Sequence, residues 1–453
     1  MTTRPRTIYI VALVGIVLYG FPGLTSYDSI VQLDAARRWE LGDWHPAVMS
    51  ALWRVVELVV SGTFGMLLLQ AAAFVAGIGG ILRTELAPRR AALVALAIAW
   101  FPPVLVVMGV IWKDAQMAGY LVLAVALCAG PPGRRRWLGI ALFVLASALR
   151  HNAPAATLAP IVLLVARERG RWQRWLVGVA AWLAITFAGV GLDAALTNHP
   201  GPGLSDWIEV TDIQGIARWA GPLSDDELRP LLAGANLHVD RDLQRELAAH
   251  YDPRNYLEFS QHPQPLELSQ TPEQRDAIRH AWRTLVLHEP LAYAHHRWLV
   301  FRQVLELRAP SRPPAFVTTD DLYSRTTPSA IQRAWFWLVR AIGPLWYVPF
   351  IYFAVGLGLL ALARTRLEFA LLGSGLVYEL GLFAGAMTGD YRYSHWMIVT
   401  VVLAAVLIAH RRYMVVKLND TGNSELPARS LIAPDNVTVM TVAAGSAAVG
   451  VNV

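Results

Sequence analysis

The sequence predicts an all-α protein: a polytopic membrane helical bundle of about ten spans, with a mainly helical extracytoplasmic domain. Three observations carry this. Of 453 residues, 55% are hydrophobic and only 16% charged, with a mean hydropathy of +0.40, whereas soluble domains carry about 25% charged residues. Apolar runs recur at close to the ~20 residues a helix needs to cross a bilayer. The short basic loops also alternate. Arg83, Arg89 and Arg90, then Arg134, Arg135 and Arg136, then Arg167, Arg169, Arg171 and Arg174, then Arg364 and Arg366, then Arg411, Arg412 and Lys417 fall in every second loop. That is the positive-inside pattern, and it puts both termini in the cytoplasm. The net charge of +6 sits in these loops, while residues 196–336 are mildly acidic, so nucleic acid is not a partner.

In chain order, the first span is 7–22. Arg4 and Arg6 precede it as in a signal peptide, but no clear small-residue cleavage site follows, so it reads as a retained helix. Residues 23–62 form the first external loop. Within it, 47–60 are apolar but interrupted by Arg54 and Glu57. A span there would turn every later basic loop outward, so a helix lying at the interface is expected. The next spans are 63–82, 91–111 (broken at Phe101-Pro102-Pro103), 115–131, 137–150, 154–166 and 175–195, and they complete an N-terminal bundle over 1–195.

Residues 196–336 make the external domain. Ser224-Asp225-Asp226-Glu227 and Thr271-Pro272-Glu273-Gln274 each read as a capping box opening a helix. From Pro290 to Leu307, Leu291, Trp298, Phe301, Val304 and Leu305 are spaced as one apolar helix face. Spans 337–363, 367–388 and 393–410 form the C-terminal membrane part, and 411–453 is a cytoplasmic tail without helical periodicity. Cys128, the single cysteine, lies within a span, which excludes an intrachain disulfide and a thiolate metal site. Most of the 17 tryptophans, such as Trp112, Trp137, Trp175 and Trp396, fall at span ends as an aromatic belt does.

Four polar clusters fall on external span ends: Asp28, Trp112-Lys113-Asp114, Arg150-His151-Asn152 and Asp390-Tyr391-Arg392-Tyr393. Charge pressed against apolar spans is costly and has a task or a partner. A wet loop explains any one cluster equally well; four on one face point to a shared site.

This pattern resembles the GT-C superfamily of polyprenyl-phosphate-sugar glycosyltransferases, which includes protein O-mannosyltransferases and the lipid A aminoarabinose transferase. The resemblance rests on Asp28 in TSYDSIVQL, His45-Pro46, Asp114 in GVIWKD, Arg392 in GDYRY and the segment HEPLAYAHHRWLVFRQ. As architecture it covers most of residues 1–410. The chain departs from the protein mannosyltransferase pattern at Ser29, where a second acid is usual, and at Ser394-His395-Trp396, where a proline is common. The resemblance implies a multi-pass protein of the bacterial plasma membrane that takes a polyprenyl-phosphate sugar donor. The acceptor would be a lipid, glycan or protein, and the active site extracytoplasmic.

It further implies that Asp28 is the catalytic base and Asp114 a second acid, orienting the acceptor or sharing a divalent cation. Arg392, Arg150 and Lys113 would meet the donor phosphate, and His45, His151 and Tyr391 would hydrogen-bond substrate. Glycosyl transfer from a lipid phosphate needs a carboxylate for the acceptor proton and cations for the departing phosphate. Plainer readings stand beside these. Asp28 and Asp114 suit helix N-caps, the three cations suit snorkelling to lipid headgroups, and Arg392 suits a pair with Asp390. An O-antigen polymerase or ligase would leave Asp28 dispensable. A transporter or flippase would show ionisable residues or broken helices at mid-membrane, for which Glu379, Gln70 and the Pro102-Pro103 break are the candidates.

Overall fold

The computed structural model describes residues 4–131, 133–165, 170–253, 264–307, 328–341 and 344–421. Among these the chain is helical, with no strand beyond two isolated bridges. It divides into two compact units, Met1–His410 and Arg411–Val453, and the site described below lies in the first. The tail expected from 411 is helical as far as Thr421, where the last helix ends, and lies outside the described residues from 422 on.

Helix α1 (Pro5–Gly20) is followed by α2 (Tyr27–Arg38) and α3 (Ala47–Glu57) in the first loop. Then come α4 (Phe64–Leu82), α5 (Pro88–Ala99), α6 (Pro102–Met108), α7 (Lys113–Ala129) and α8 (Arg134–Leu149). Helix α9 (Ala153–Pro160) runs into a π-helical turn, Ile161–Val165, and α10 (Arg171–Leu196) follows. The next segment holds α11 (Leu204–Trp219), α12 (Asp225–Leu231), α13 (Leu243–Ala249), α14 (Pro272–His288) and α15 (Pro290–Val304). Last come α16 (Ala330–Ala341), α17 (Pro349–Leu362), α18 (Arg366–Gly385) and α19 (His395–Thr421).

Four helical stretches among the described residues are long and apolar enough to cross a membrane: Phe64–Leu82, Trp172–Leu196, Arg366–Gly385 and Tyr391–Lys417. The expected span 91–111 is instead the pair α5 and α6, bent by 71°. Proline forces the residue before it out of helical geometry, and Phe101 takes φ −61, ψ 118. The runs 7–22, 154–166 and 337–363 contain the shorter apolar helices Pro5–Gly20, Ala153–Val165 and Pro349–Leu362. Residues 342–343 of the last run lie outside the described residues, and a 3₁₀ turn at Pro344–Tyr347 precedes α17.

Where α6 stops at Met108 its last carbonyls lack helical partners, and Gln70 of α4 reaches this end. Its amide donates to the Met108 carbonyl at 2.7 Å and the Val110 carbonyl at 3.0 Å, while its own oxygen accepts from Gln116 at 3.1 Å. The polar intrusion in the second span is therefore a structural bond, and all of Pro102–Met108 is buried in protein. Gln70→Leu is expected to lower the thermal midpoint, since each stranded buried carbonyl costs about 1–3 kcal/mol. An unchanged melt of the purified variant would contradict this account. Helices α4 and α7 meet through small residues, as membrane helices do. A Cβ at Gly77 would stand 2.5 Å from the Leu123 nitrogen, and one at Gly119 would stand 2.9 Å from the Gln70 carbonyl.

Helices α11 to α15 enclose a separate apolar core, in which Val210, Ile213 and Ile216 pack with Leu228, Leu243, Leu247, Ile278 and Leu285. Ser224 with Glu227 and Thr271 with Gln274 form capping boxes at α12 and α14. Of the apolar face expected on α15, Phe301, Val304 and Leu305 are buried, but Leu291 is 85% and Trp298 44% exposed, while His296 and Arg297 are buried.

Candidate functional site

Asp28 owes its position to its neighbours. Ser26 caps α2 in a reciprocal box with Ser29, so the carboxylate of Asp28, in the first turn, is not spent as the cap. The same serines tie α2 to the start of α7. Ser29 Oγ donates to the Ile111 carbonyl at 2.6 Å, Trp112 Nε1 donates to Ser26 Oγ at 2.7 Å, and the Ile111 amide donates to the Leu24 carbonyl at 2.8 Å. These bonds set Asp28 and Lys113 at one cavity although they are far apart in sequence.

That cavity, of about 180 Å³, is lined by both charged and apolar side chains. Asp28, His45, Lys113, Arg150, His151 and Arg392 are among the first; Leu204, Ile208, Leu382 and Met387 are among the second. Trp44 lies at the cavity with its ring 4.6 Å from that of Trp207. Asp28 Oδ2 accepts from Arg392 Nη1 at 2.8 Å, and Oδ1 stands 3.9 Å from His45 Nε2. Arg392 is also ion-paired with Asp390, its Nε 2.7 Å from Oδ2, and lies over the Trp112 ring at 4.9 Å. His45 Nδ1 is 3.1 Å from Lys113 Nζ. Burial pushes Lys113 down to about 7; when it is charged its Nζ can only donate, which makes Nδ1 the acceptor and puts the His45 proton on Nε2, toward Asp28.

Burial alone would raise the Asp28 carboxyl, but Arg392, His45 and Lys113 outweigh it and hold it well below the usual carboxylate range. Burial, reinforced by Lys113, pushes His45 down to about 3 and His151 to about 4. Both imidazoles are thus neutral at physiological pH. In the unfolded chain they take up protons near pH 6.5. Between roughly pH 6.5 and 4 these two histidines bind more protons in the unfolded state, so their contribution to stability falls as pH falls through that window. Burial pushes Glu306 up to about 8, and it acts in the opposite sense over the same range, so the histidines are read by difference: from pH 7 to pH 5 the His45→Gln, His151→Gln double variant is expected to lose less thermal midpoint than wild type, or to gain more. A variant that tracks wild type across that range would defeat the assignment.

Two of the expected site residues lie behind the cavity. Asp114 is 1% exposed and forms a buried ion pair with Arg150, whose guanidinium lies 5.0 Å from the Tyr393 ring centre. Tyr391 is also buried, donating to the Pro103 carbonyl at 3.1 Å with its ring 5.6 Å from that of Tyr347. Neither arginine snorkels, since Arg150 and Arg392 are both buried. Glu379, the acid in the ninth expected span, accepts from Ser394 Oγ at 2.7 Å. The donor set does not fit a divalent cation. Asp28 and Asp114 each face a guanidinium, and among the described residues no three His, Cys, Asp or Glu side chains are grouped to hold a metal. Sequence reasoning missed Leu204, Ile208, Leu382 and Met387, because single apolar residues among many carry no mark of lining a cavity.

No protein-family model and no curated protein sequence matches this chain. Among solved structures it is similar to the crystal structure of ArnT from Cupriavidus metallidurans bound to undecaprenyl phosphate. The identity is 19%, the match covers 93% of this chain and 80% of that one, and the TM-score is 0.34. The apo state of ArnT from Cupriavidus metallidurans matches at 17% identity over 92% and 79%, with a TM-score of 0.28.

Proposed function

We propose that this protein is an integral-membrane glycosyltransferase that moves one sugar from a polyprenyl-phosphate donor to an acceptor hydroxyl at the extracytoplasmic face. The chain would cross the membrane ten times with both termini inside, which puts the charged cavity at the outer leaflet. One observation carries the reading: a carboxylate and three cations from four separate stretches of the chain, Asp28, Lys113, Arg150 and Arg392, line a single cavity together with apolar side chains. A lipid phosphate needs both kinds of lining.

In the proposed reaction the acceptor hydroxyl gives its proton to Asp28. Its oxygen bonds to the anomeric carbon as the carbon–phosphate-oxygen bond breaks, and the electron pair leaves with the phosphate. Direct displacement inverts the anomeric centre. Lys113, Arg150 and Arg392 stabilise the charge growing on the phosphate; an arginine fork suits two phosphate oxygens, and lysine adds a point charge. Paired with Arg392, Asp28 is a weak base. A donor phosphate competes for that guanidinium and so restores basicity to the carboxylate only when donor is present.

Incubating the purified protein with a panel of radiolabelled polyprenyl-phosphate sugars tests this. One donor is expected to lose its sugar and release polyprenyl phosphate. Consumption of a polyprenyl-diphosphate oligosaccharide instead would assign a polymerase or ligase. Movement of intact lipid across a vesicle membrane would assign a flippase.

A further inference from the structure

A second cluster of buried charge lies outside the cavity, in the segment between α10 and α16. Asp212 of α11 is fully buried, and both of its oxygens are engaged. Oδ1 accepts from His296 Nε2 at 2.8 Å; Oδ2 accepts from Arg297 Nη2 at 2.7 Å and from Trp282 Nε1 at 2.7 Å. His296 Nδ1 is 2.8 Å from the Tyr251 hydroxyl. A charge network this deep is costly unless every member is satisfied.

The other arm of Arg297 leaves the cluster. Nη1 donates to the Ala386 carbonyl at 2.8 Å, and that bond is buried. Ala386 begins the segment that joins α18 to Arg392. Three residues on, Gly389 lies against the backbone of Gln303 in α15, where a Cβ would come within 2.6 Å of the Gln303 carbonyl oxygen. Asp390 comes next and is ion-paired with Arg392. Helix α15 therefore fixes the Ala386–Arg392 segment at two points. On the same α11 that carries Asp212, Leu204 and Ile208 line the cavity.

We infer that Arg297 is a positioning residue: by bridging Asp212 and the Ala386 carbonyl it sets where Arg392 meets the donor phosphate. This rests on the role given to Arg392 under Proposed function. A lysine at 297 can keep the Asp212 pair, but it lacks the planar fork that reaches both partners at once.

The test is a double-mutant cycle on affinity for undecaprenyl phosphate, measured on the full chain in nanodiscs, with Arg297→Met and Arg392→Ala singly and together. Each single variant is expected to bind about tenfold more weakly, a difference of about 1.4 kcal/mol. The double variant is expected to bind no more weakly than Arg392→Ala alone, because Arg297 acts through Arg392. Arg297→Lys is expected to weaken binding severalfold with a near-normal thermal midpoint, and it decides the matter should Arg297→Met not fold. Wild-type affinity in the Arg297 variants, or losses that simply multiply, would overturn the inference while leaving Arg392 on the phosphate. Wild-type affinity in Arg392→Ala would instead remove the phosphate role of Arg392, and the inference with it.

Discussion

Asp28→Asn is expected to lower sugar transfer roughly 10²–10⁴-fold, the usual contribution of a positioned general base. The amide keeps the size of the side chain and can still accept from Arg392, so α2 and its Ser26–Ser29 cap should form as before. What disappears is the site for the acceptor proton. The charge on Arg392 is then balanced by Asp390 alone, 2.7 Å away, and becomes more available to a donor phosphate. The loss should therefore fall on kcat, with the donor KM unchanged or lower, the signature of an interaction made only in the transition state. Steady-state kinetics on the purified variant checks both halves. Full transfer by a folded Asp28→Asn protein would exclude Asp28 as the base and favour the polymerase or ligase alternative. A raised KM with intact kcat would make Asp28 a binding residue instead.

Much of the membrane part was legible because its signals are local. The runs 63–82, 175–195 and 367–388 correspond within a few residues to helices long and apolar enough to span, and 393–410 lies within the longer Tyr391–Lys417. Hydropathy over ~20 residues needs no knowledge of partners. The helix expected over 47–60 is present as α3, Ala47–Glu57. Prolines gave away the bend in 91–111 but not its sequel, since nothing near Gln70 in sequence says that its amide serves carbonyls 38 and 40 residues on. The charged lining of the cavity was legible as four clusters on one face. Their division of labour was not: Asp114 and Lys113 are adjacent in α7, yet one is turned to the buried Arg150 and the other to the cavity.

The exposed start of α15 has the same cause at longer range. Apolar spacing turns Leu291 and Trp298 inward with Phe301, Val304 and Leu305. A partner 85 residues away, Asp212, draws Arg297 into the interior, where only the last three of those apolar residues are buried. Charge that is paired only in three dimensions leaves no periodic trace, so reading along the chain finds the bundle more readily than the struts that hold it.

Asp114→Ala is expected to have the largest effect on stability. The carboxylate is 1% and Arg150 8% exposed, and the two form a buried ion pair. Removing one partner leaves an uncompensated charge in the interior, which costs about 3–5 kcal/mol. A folded yield or thermal midpoint far below wild type is the expected result. Replacing both partners, as Asp114→Ala with Arg150→Met, removes the stranded charge and should recover much of that loss, since buried pairs give little net stability over apolar groups. Transfer activity should not recover, because Arg150 also lines the cavity. The double variant thus separates the two roles of one arginine. Stability that stays low in it would assign the loss to packing around α7. A stable Asp114→Ala protein would mean that Arg150 finds its counter-charge elsewhere, with Glu379, bonded to Ser394 Oγ in the neighbouring helix, as the acid to mutate next.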